Sequence, residues 1–209
     1  MRFIEALSYS GADYLMKQKG ENHEKRRVYF YGFQIVIGAV VKFLILLVLA
    51  LVTDTLVQTF LMTIVFASLR MIAGGYHMDT FGRCLGVSIF MFLVFSLIAR
   101  YTHQYWYNYQ IIIFAIIAML FSLFSLYKWA PSDNPNRLIT EPSEIKMFKK
   151  LSIIYLAIWT IISFILIYFK MNMIFLSISF GLVLEVFSIT PAGKAFFGFV
   201  KNNLKRIKK

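Results

Sequence analysis

Apolar residues in this chain are grouped in long, uninterrupted blocks and do not alternate with polar ones. Six blocks can be drawn, at residues 30–52, 56–73, 84–99, 110–127, 151–169 and 171–189. A helix needs about 20 apolar residues to cross a hydrocarbon layer of about 30 Å, and continuous runs of this length do not fit strands. The pattern predicts an all-α fold, a polytopic membrane bundle of about six transmembrane helices. The third block is short, so its helix is expected to begin near Phe81 or to cross only partway.

Both ends of the chain are more polar than the six blocks. Residues 1–29 mix apolar positions with charges and end in the basic run Lys25-Arg26-Arg27. We interpret this segment as amphipathic and lying at the membrane surface, with a flexible cytoplasmic tail as the alternative. No cleavable signal peptide is expected there. Residues 30–189 would form the bundle and residues 190–209 a basic tail, all within a single membrane domain.

The distribution of basic residues predicts the orientation of the bundle. With six spans, 19 of the 22 lysines and arginines fall on one side, two fall on the other, and Lys42 lies inside a span. Because basic residues accumulate in cytoplasmic connections, both termini are expected in the cytoplasm of a cell-membrane protein. An odd number of spans would place one heavily basic terminus outside.

Composition excludes several classes of protein. The chain is 59% hydrophobic and 15% charged, which does not fit a soluble domain. The net charge is +12, and the basic residues flank apolar spans. We therefore expect contact with membrane lipids and not with nucleic acid. No dinucleotide, zinc-protease or paired metal-ligand motif is present, and no cofactor or metal is expected.

Residues 70–84 concentrate the polar chemistry of the chain between the second and third spans. They include the single cysteine, Cys84, and one of three histidines, His77. A thiolate is the nucleophilic form of cysteine, and an imidazole can take the thiol proton. Seven residues are close to two helical turns, but three glycines make a continuous helix doubtful, and a re-entering loop would also bring the two together. A buried, inert cysteine and an interfacial histidine are the alternative.

The predicted topology brings several polar side chains into one layer near the cytoplasmic surface. They are Gln34, Arg70, His77, Cys84 and Glu185. Intramembrane polar groups usually face a bundle interior or a wet cavity, so this layer is a candidate site. Lys42, near the middle of the first span, does not fit the layer. Asp79 is a candidate to orient His77. Gln34 and Arg70 are alternative candidates to stabilise an oxyanion, and the sequence does not distinguish between these possibilities.

The run Arg-x-x-Ala-Gly-Gly-Tyr-His, with a cysteine after six more residues, resembles the signature of the accessory gene regulator B family. The likeness also covers Gln34, Arg70 and Gly75. It is partial in the fourth connection, where Leu138-Ile139 replaces the usual Pro-Ile. The resemblance implies a membrane-embedded cysteine endopeptidase that processes precursors of cyclic autoinducing peptides used in quorum sensing by Gram-positive bacteria.

The resemblance also implies how such a reaction proceeds and what it acts on. His77 would activate Cys84, an acyl-enzyme would form, and a thiol or hydroxyl of the peptide would close a thiolactone or lactone. The substrate would be a small AgrD-like propeptide with an amphipathic leader and an acidic tail, and the enzyme a homodimer. Candidate substrate-binding residues are Glu185, Lys128, Lys149 and Lys150.

Two rival interpretations remain. A peptide or small-molecule transporter without proteolytic activity would use Lys42, Arg70 and Glu185 to line a polar path. A scaffold or partner subunit would need none of these groups. The transporter interpretation predicts that Cys84 is dispensable and Lys42 is not.

Overall fold

The computed structural model describes residues 2–76, 81–132 and 141–206, which form eight α-helices and one short 3-10 helix. The helices are α1 Arg2–Lys19, α2 His23–Val52, α3 Leu56–Ala73, α4 Phe81–Thr102, α5 Asn108–Trp129, α6 Pro142–Tyr168, α7 Asn172–Ile189 and α8 Pro191–Arg206, with the 3-10 helix His103–Tyr105 between α4 and α5. Within those described ranges there is no β-strand. The predicted all-α class is confirmed.

Six of the described helices, α2 to α7, are long and apolar enough to cross a membrane. The chain is therefore a multi-pass membrane protein. The limits of α3 agree with the predicted block, and α7 begins one residue later than expected. The third span begins at Phe81, which confirms the first of the two predicted alternatives: α4 has 22 residues, about 33 Å at 1.5 Å per residue.

Two helices begin well before the apolar blocks that predicted them. α2 starts at His23 and α6 at Pro142, because hydropathy marks the part of a helix inside the membrane and not its end. Asn22 caps α2, its side chain accepting a hydrogen bond of 3.3 Å from the backbone N–H of Lys25. Pro142 occupies the first turn of α6, where its missing N–H leaves no intrahelical bond unmade.

α7 is the central helix of the bundle. Thirteen of its 18 residues are buried, whereas at most 28% of the residues in the most apolar 18-residue stretch of any other span are buried. Gly181 lets α3 approach closely, since a Cβ added there would lie 2.6 Å from the backbone oxygen of Met62. Small residues at such contacts allow helix backbones to pack tightly in membranes. An all-round apolar sequence is what a helix surrounded by others requires.

The two terminal segments are helices that pack on the bundle. Tyr9 and Asp13 of α1 contact Arg26 of α2. The Arg26 guanidinium lies 2.9 Å from the Tyr9 hydroxyl and 3.7 Å from the Asp13 carboxylate. The hydrogen bond from Lys17, with the charges of Lys17 and Arg26, lowers the pKa of Asp13. The amphipathic N-terminal segment is thus a helix and not a flexible tail. At the other end, where the sequence predicted only a basic tail, α8 follows α7 at once.

Candidate active site

The segment that follows α3 turns sharply on two glycines. Gly74 (φ 76°) donates its N–H to the carbonyl oxygen of Arg70 at 3.0 Å, and Gly75 (φ 145°) also lies in the region that favours glycine. Ser132, just after α5, donates its backbone N–H to the carbonyl oxygen of Ala73 at 2.8 Å. The chain therefore leaves α3 along a path held by the α5–α6 connection.

Arg70 joins this turn to the central helix. Its guanidinium lies 3.1 Å from the carboxylate of Glu185 and 3.5 Å from the hydroxyl of Ser188, both on α7. It also donates a hydrogen bond of 2.5 Å to the carbonyl oxygen of Tyr76, the residue before His77. Arg70 thus holds the backbone immediately before the predicted base.

Gly75 packs directly against this cluster. A Cβ added at Gly75 would lie 2.6 Å from the Ser188 hydroxyl, 2.7 Å from the Arg70 guanidinium and 3.0 Å from the Glu185 carboxylate. Both the space and the backbone angle require glycine here. The predicted supporting role of Gly75 therefore has a physical basis in the contact between this turn and α7.

Cys84 lies in the first turn of α4 as a free, half-buried thiol. The ammonium of Lys42 on α2 is 4.0 Å from its sulfur and 3.2 Å from the hydroxyl of Ser88, one turn further along α4. The expectation that Lys42 lies apart from the candidate layer is wrong. Position along the sequence puts Lys42 near the middle of its span, but α2 packs against α4 and the long lysine side chain reaches the sulfur.

His77 and Asp79 lie outside the described residues. Their roles as base and orienting group stay predictions. Gln34 is half-buried on α2 and forms an i, i+4, i+8 row with the buried Gly38 and with Lys42. This row places Gln34 on the stripe of α2 that leads to the contact with Cys84.

Comparison with known proteins gives the family. The model of the accessory gene regulator B family matches residues 8–189. This chain belongs to that family. A putative AgrB-like protein 2 of Clostridium perfringens is 23% identical over 198 residues, covering 91% of this chain and 92% of that protein. Protein FsrB of Enterococcus faecalis is 26% identical over 184 residues, covering 85% of this chain and 72% of that protein. No solved structure matches the chain.

Membership of the accessory gene regulator B family is confirmed over most of the chain, as the motif around Arg70 and Cys84 indicated. The family takes part in accessory gene regulation and quorum-sensing peptide processing, together with an AgrD-like propeptide. The matched region begins within α1 and ends at the last residue of α7, so it contains every span and the whole polar cluster.

The predicted substrate-binding residues of this AgrB-family chain fall in two environments. Lys128 lies in the last turn of α5, and Lys149 and Lys150 lie about two turns into α6. The ammonium of Lys149 stands 4.3 Å from the ring centroid of Tyr127. Lys128 and Lys150 are exposed and Lys149 is half-buried. Glu185 is fully buried against Arg70, so in this structure its carboxylate supports the turn and offers no surface to a ligand.

Several residues of the cluster were not predicted from the sequence. Ser188, the backbone of Ser132 and the carbonyl oxygen of Tyr76 each hold part of the turn. Tyr76 also stacks on Phe197 of α8, with ring centroids 5.7 Å apart. Serines are common in membrane helices and backbone groups carry no side-chain signal, so no sequence pattern marks them. Among the described residues there is no group of three or more potential metal ligands.

Proposed function

We propose that this protein is a membrane-embedded cysteine endopeptidase that removes the C-terminal tail of a small quorum-sensing propeptide and promotes its cyclisation. The position of Cys84 carries the proposal. The only thiol of the chain stands uncrosslinked and half-buried at the start of α4. The turn clamped by Arg70 leads into the segment that holds His77, and α4 follows that segment.

The reaction can be written with the groups of this chain. His77 takes the proton of Cys84, and the thiolate attacks the carbonyl carbon of the scissile peptide bond. The carbon–nitrogen bond then breaks, and the imidazolium returns the proton to the departing amine of the tail. The N-terminal part of the propeptide remains as a thioester on Cys84.

Cyclisation resolves this thioester. A thiol or hydroxyl within the bound fragment attacks the acyl carbon, its proton passes to His77, and Cys84 leaves as a thiolate. Water competes for the same carbon, so the reaction needs a site that limits solvent access. The half-buried position of Cys84 within a helix bundle suits that requirement.

The substrate is a small AgrD-like propeptide with an amphipathic leader and an acidic tail. The basic residues Lys128, near the end of α5, and Lys149 and Lys150, in the first half of α6, are suited to attract that tail. The leader would lie in the membrane interface beside the lipid headgroups. The reacting groups would face the cytoplasm, and the enzyme would act as a homodimer.

Intact mass measurement tests the proposal. Purified protein incubated with its candidate propeptide should gain the mass of the N-terminal propeptide fragment, and the free tail should appear. The adduct should be absent in Cys84→Ala and slow to form in His77→Ala. Folded protein that yields neither adduct nor tail with a verified propeptide would contradict the proposal and favour the transporter interpretation.

A further inference from the structure

Lys42 is a charged residue in the middle of an apolar helix, and the mechanism above does not use it. It belongs to α2, is half-buried, and its ammonium contacts the hydroxyl of Ser88 at 3.2 Å and the sulfur of Cys84 at 4.0 Å. Charged groups at such depth normally face the bundle interior and mark a functional path or site. Here both contacts of the ammonium lead to α4 and one of them is the nucleophile.

The other charges near α4 have different partners or positions. α2, α3 and α7 pack against α4. Arg70 of α3 pairs with Glu185 of α7, and Arg83 precedes Cys84 on α4 itself and is half-buried. Among the described residues, Lys42 is the charged side chain that contacts the Cys84 sulfur.

We infer that Lys42 is a catalytic residue whose ammonium stabilises the thiolate of Cys84, and that Ser88 positions it. The inference rests on the proposed function and adds an electrostatic partner to the base. An opposite charge in a poorly solvated site favours the ionised form of its neighbour strongly, because little water is present to do so.

The ammonium of Lys42 can offset the negative charge on the Cys84 sulfur at each step of the reaction. Lys42 keeps its proton throughout, while the thiol proton moves to His77 and the negative charge that develops on the sulfur faces the ammonium. When the sulfur bonds to the acyl carbon, the sulfur loses its negative charge. When the thioester is opened by the internal nucleophile, the sulfur departs as an anion beside the same cation. Lys42 therefore favours both formation and release of the thiolate.

Alkylation of the single cysteine tests the inference without a substrate. Because Cys84 is the only thiol, iodoacetamide labelling of the full-length protein in membranes reports on this residue alone. We expect Lys42→Met to slow labelling at neutral pH about tenfold, because the thiolate is the form that reacts with iodoacetamide. Lys42→Arg should recover most of the rate, and Ser88→Ala should lower it to a smaller extent. Lys194→Met, on the exposed side of α8, is the matched control and should match wild type.

The outcomes separate this inference from the proposed function. Labelling of Lys42→Met within twofold of wild type would overturn the role of Lys42 even if the wild-type protein cleaves its propeptide. Slowed labelling with recovery by arginine would support stabilisation of the thiolate by Lys42. If a verified propeptide were then not cleaved, the peptidase proposal would be contradicted, and with it the catalytic role of this contact. If Lys42→Met does not accumulate, Ser88→Ala decides, and an unchanged labelling rate overturns the inference.

Discussion

The guanidinium of Arg70 lies 3.1 Å from the carboxylate of Glu185, and the Glu185 side chain is fully buried. The pair links α3 to the central helix α7 across 115 positions of the chain. Arg70 uses a second nitrogen to hold the carbonyl oxygen of Tyr76. One side chain thus connects the core of the bundle to the backbone that enters the predicted catalytic segment.

Removing one partner of this pair should destabilise the protein more than removing both. Arg70→Met leaves a buried carboxylate without its counter-ion, and we expect a loss of about 3 kcal/mol in the free energy of unfolding. Arg70→Met combined with Glu185→Gln should lose less, because no unpaired charge remains. Unfolding in detergent followed by tryptophan fluorescence measures each variant.

The exposed ion pair at the other end of the bundle provides the control. Arg100 lies 2.5 Å from Asp54, and both side chains are at least one-third exposed. Arg100→Met should cost at most about 1 kcal/mol, since solvent screens such pairs. Equal losses for Arg70→Met and Arg100→Met would contradict the assigned importance of the buried pair.

Gly75→Ala should impair processing far more than it impairs folding. The added methyl would press on Ser188 and Arg70 and would have to adopt a backbone angle that alanine disfavours. The easiest relief is displacement of the turn, and with it the segment that follows. We expect cleavage of the propeptide to fall at least about tenfold, in keeping with the cost of small misplacements in active sites.

Gly86→Ala is the matched control for this substitution. Gly86 lies on α4 close to Cys84, and a Cβ there meets nothing within 4 Å. It should process the propeptide as well as wild type, because alanine favours a helix. Similar rates for Gly75→Ala and wild type would show that the turn tolerates movement. Protein abundance in the membrane is measured alongside both.

The sequence predicted the spans well and their contacts poorly. The apolar block at residues 56–73 coincides with α3 because the hydrocarbon layer fixes where an apolar run must begin and end. The partner of Lys42 depends on how two helices cross and which faces meet, and hydropathy carries no such information. The sequence predicts that Arg70 and Glu185 lie at one depth, but depth alone does not show that they pair. The contact of His77 with Cys84 stays a prediction.

Neutralising Lys149 and Lys150 together should weaken processing by raising the KM for the propeptide and leaving the bond-breaking step intact. The two lysines lie on α6, where an acidic tail would be attracted by charge, and such attraction decreases as salt rises. We expect the double variant Lys149→Gln/Lys150→Gln to raise KM several-fold and to lose much of its salt dependence. Lys170→Gln, in the connection between α6 and α7, is the control. Unchanged KM and salt dependence would exclude a role for these lysines in binding the tail.

Cys84 should be reached from the cytoplasmic side of the membrane. The excess of basic residues predicts that the start of α4 lies on that side, and the half-buried thiol keeps part of its surface accessible. A membrane-impermeant methanethiosulfonate should label Cys84 in inverted vesicles and leave it unlabelled in right-side-out vesicles. Tyr107→Cys in a Cys84→Ala background, at an exposed position between α4 and α5, should show the reverse preference. Labelling of Cys84 only from the outside would invert the topology and would separate the thiol from a propeptide made in the cytoplasm.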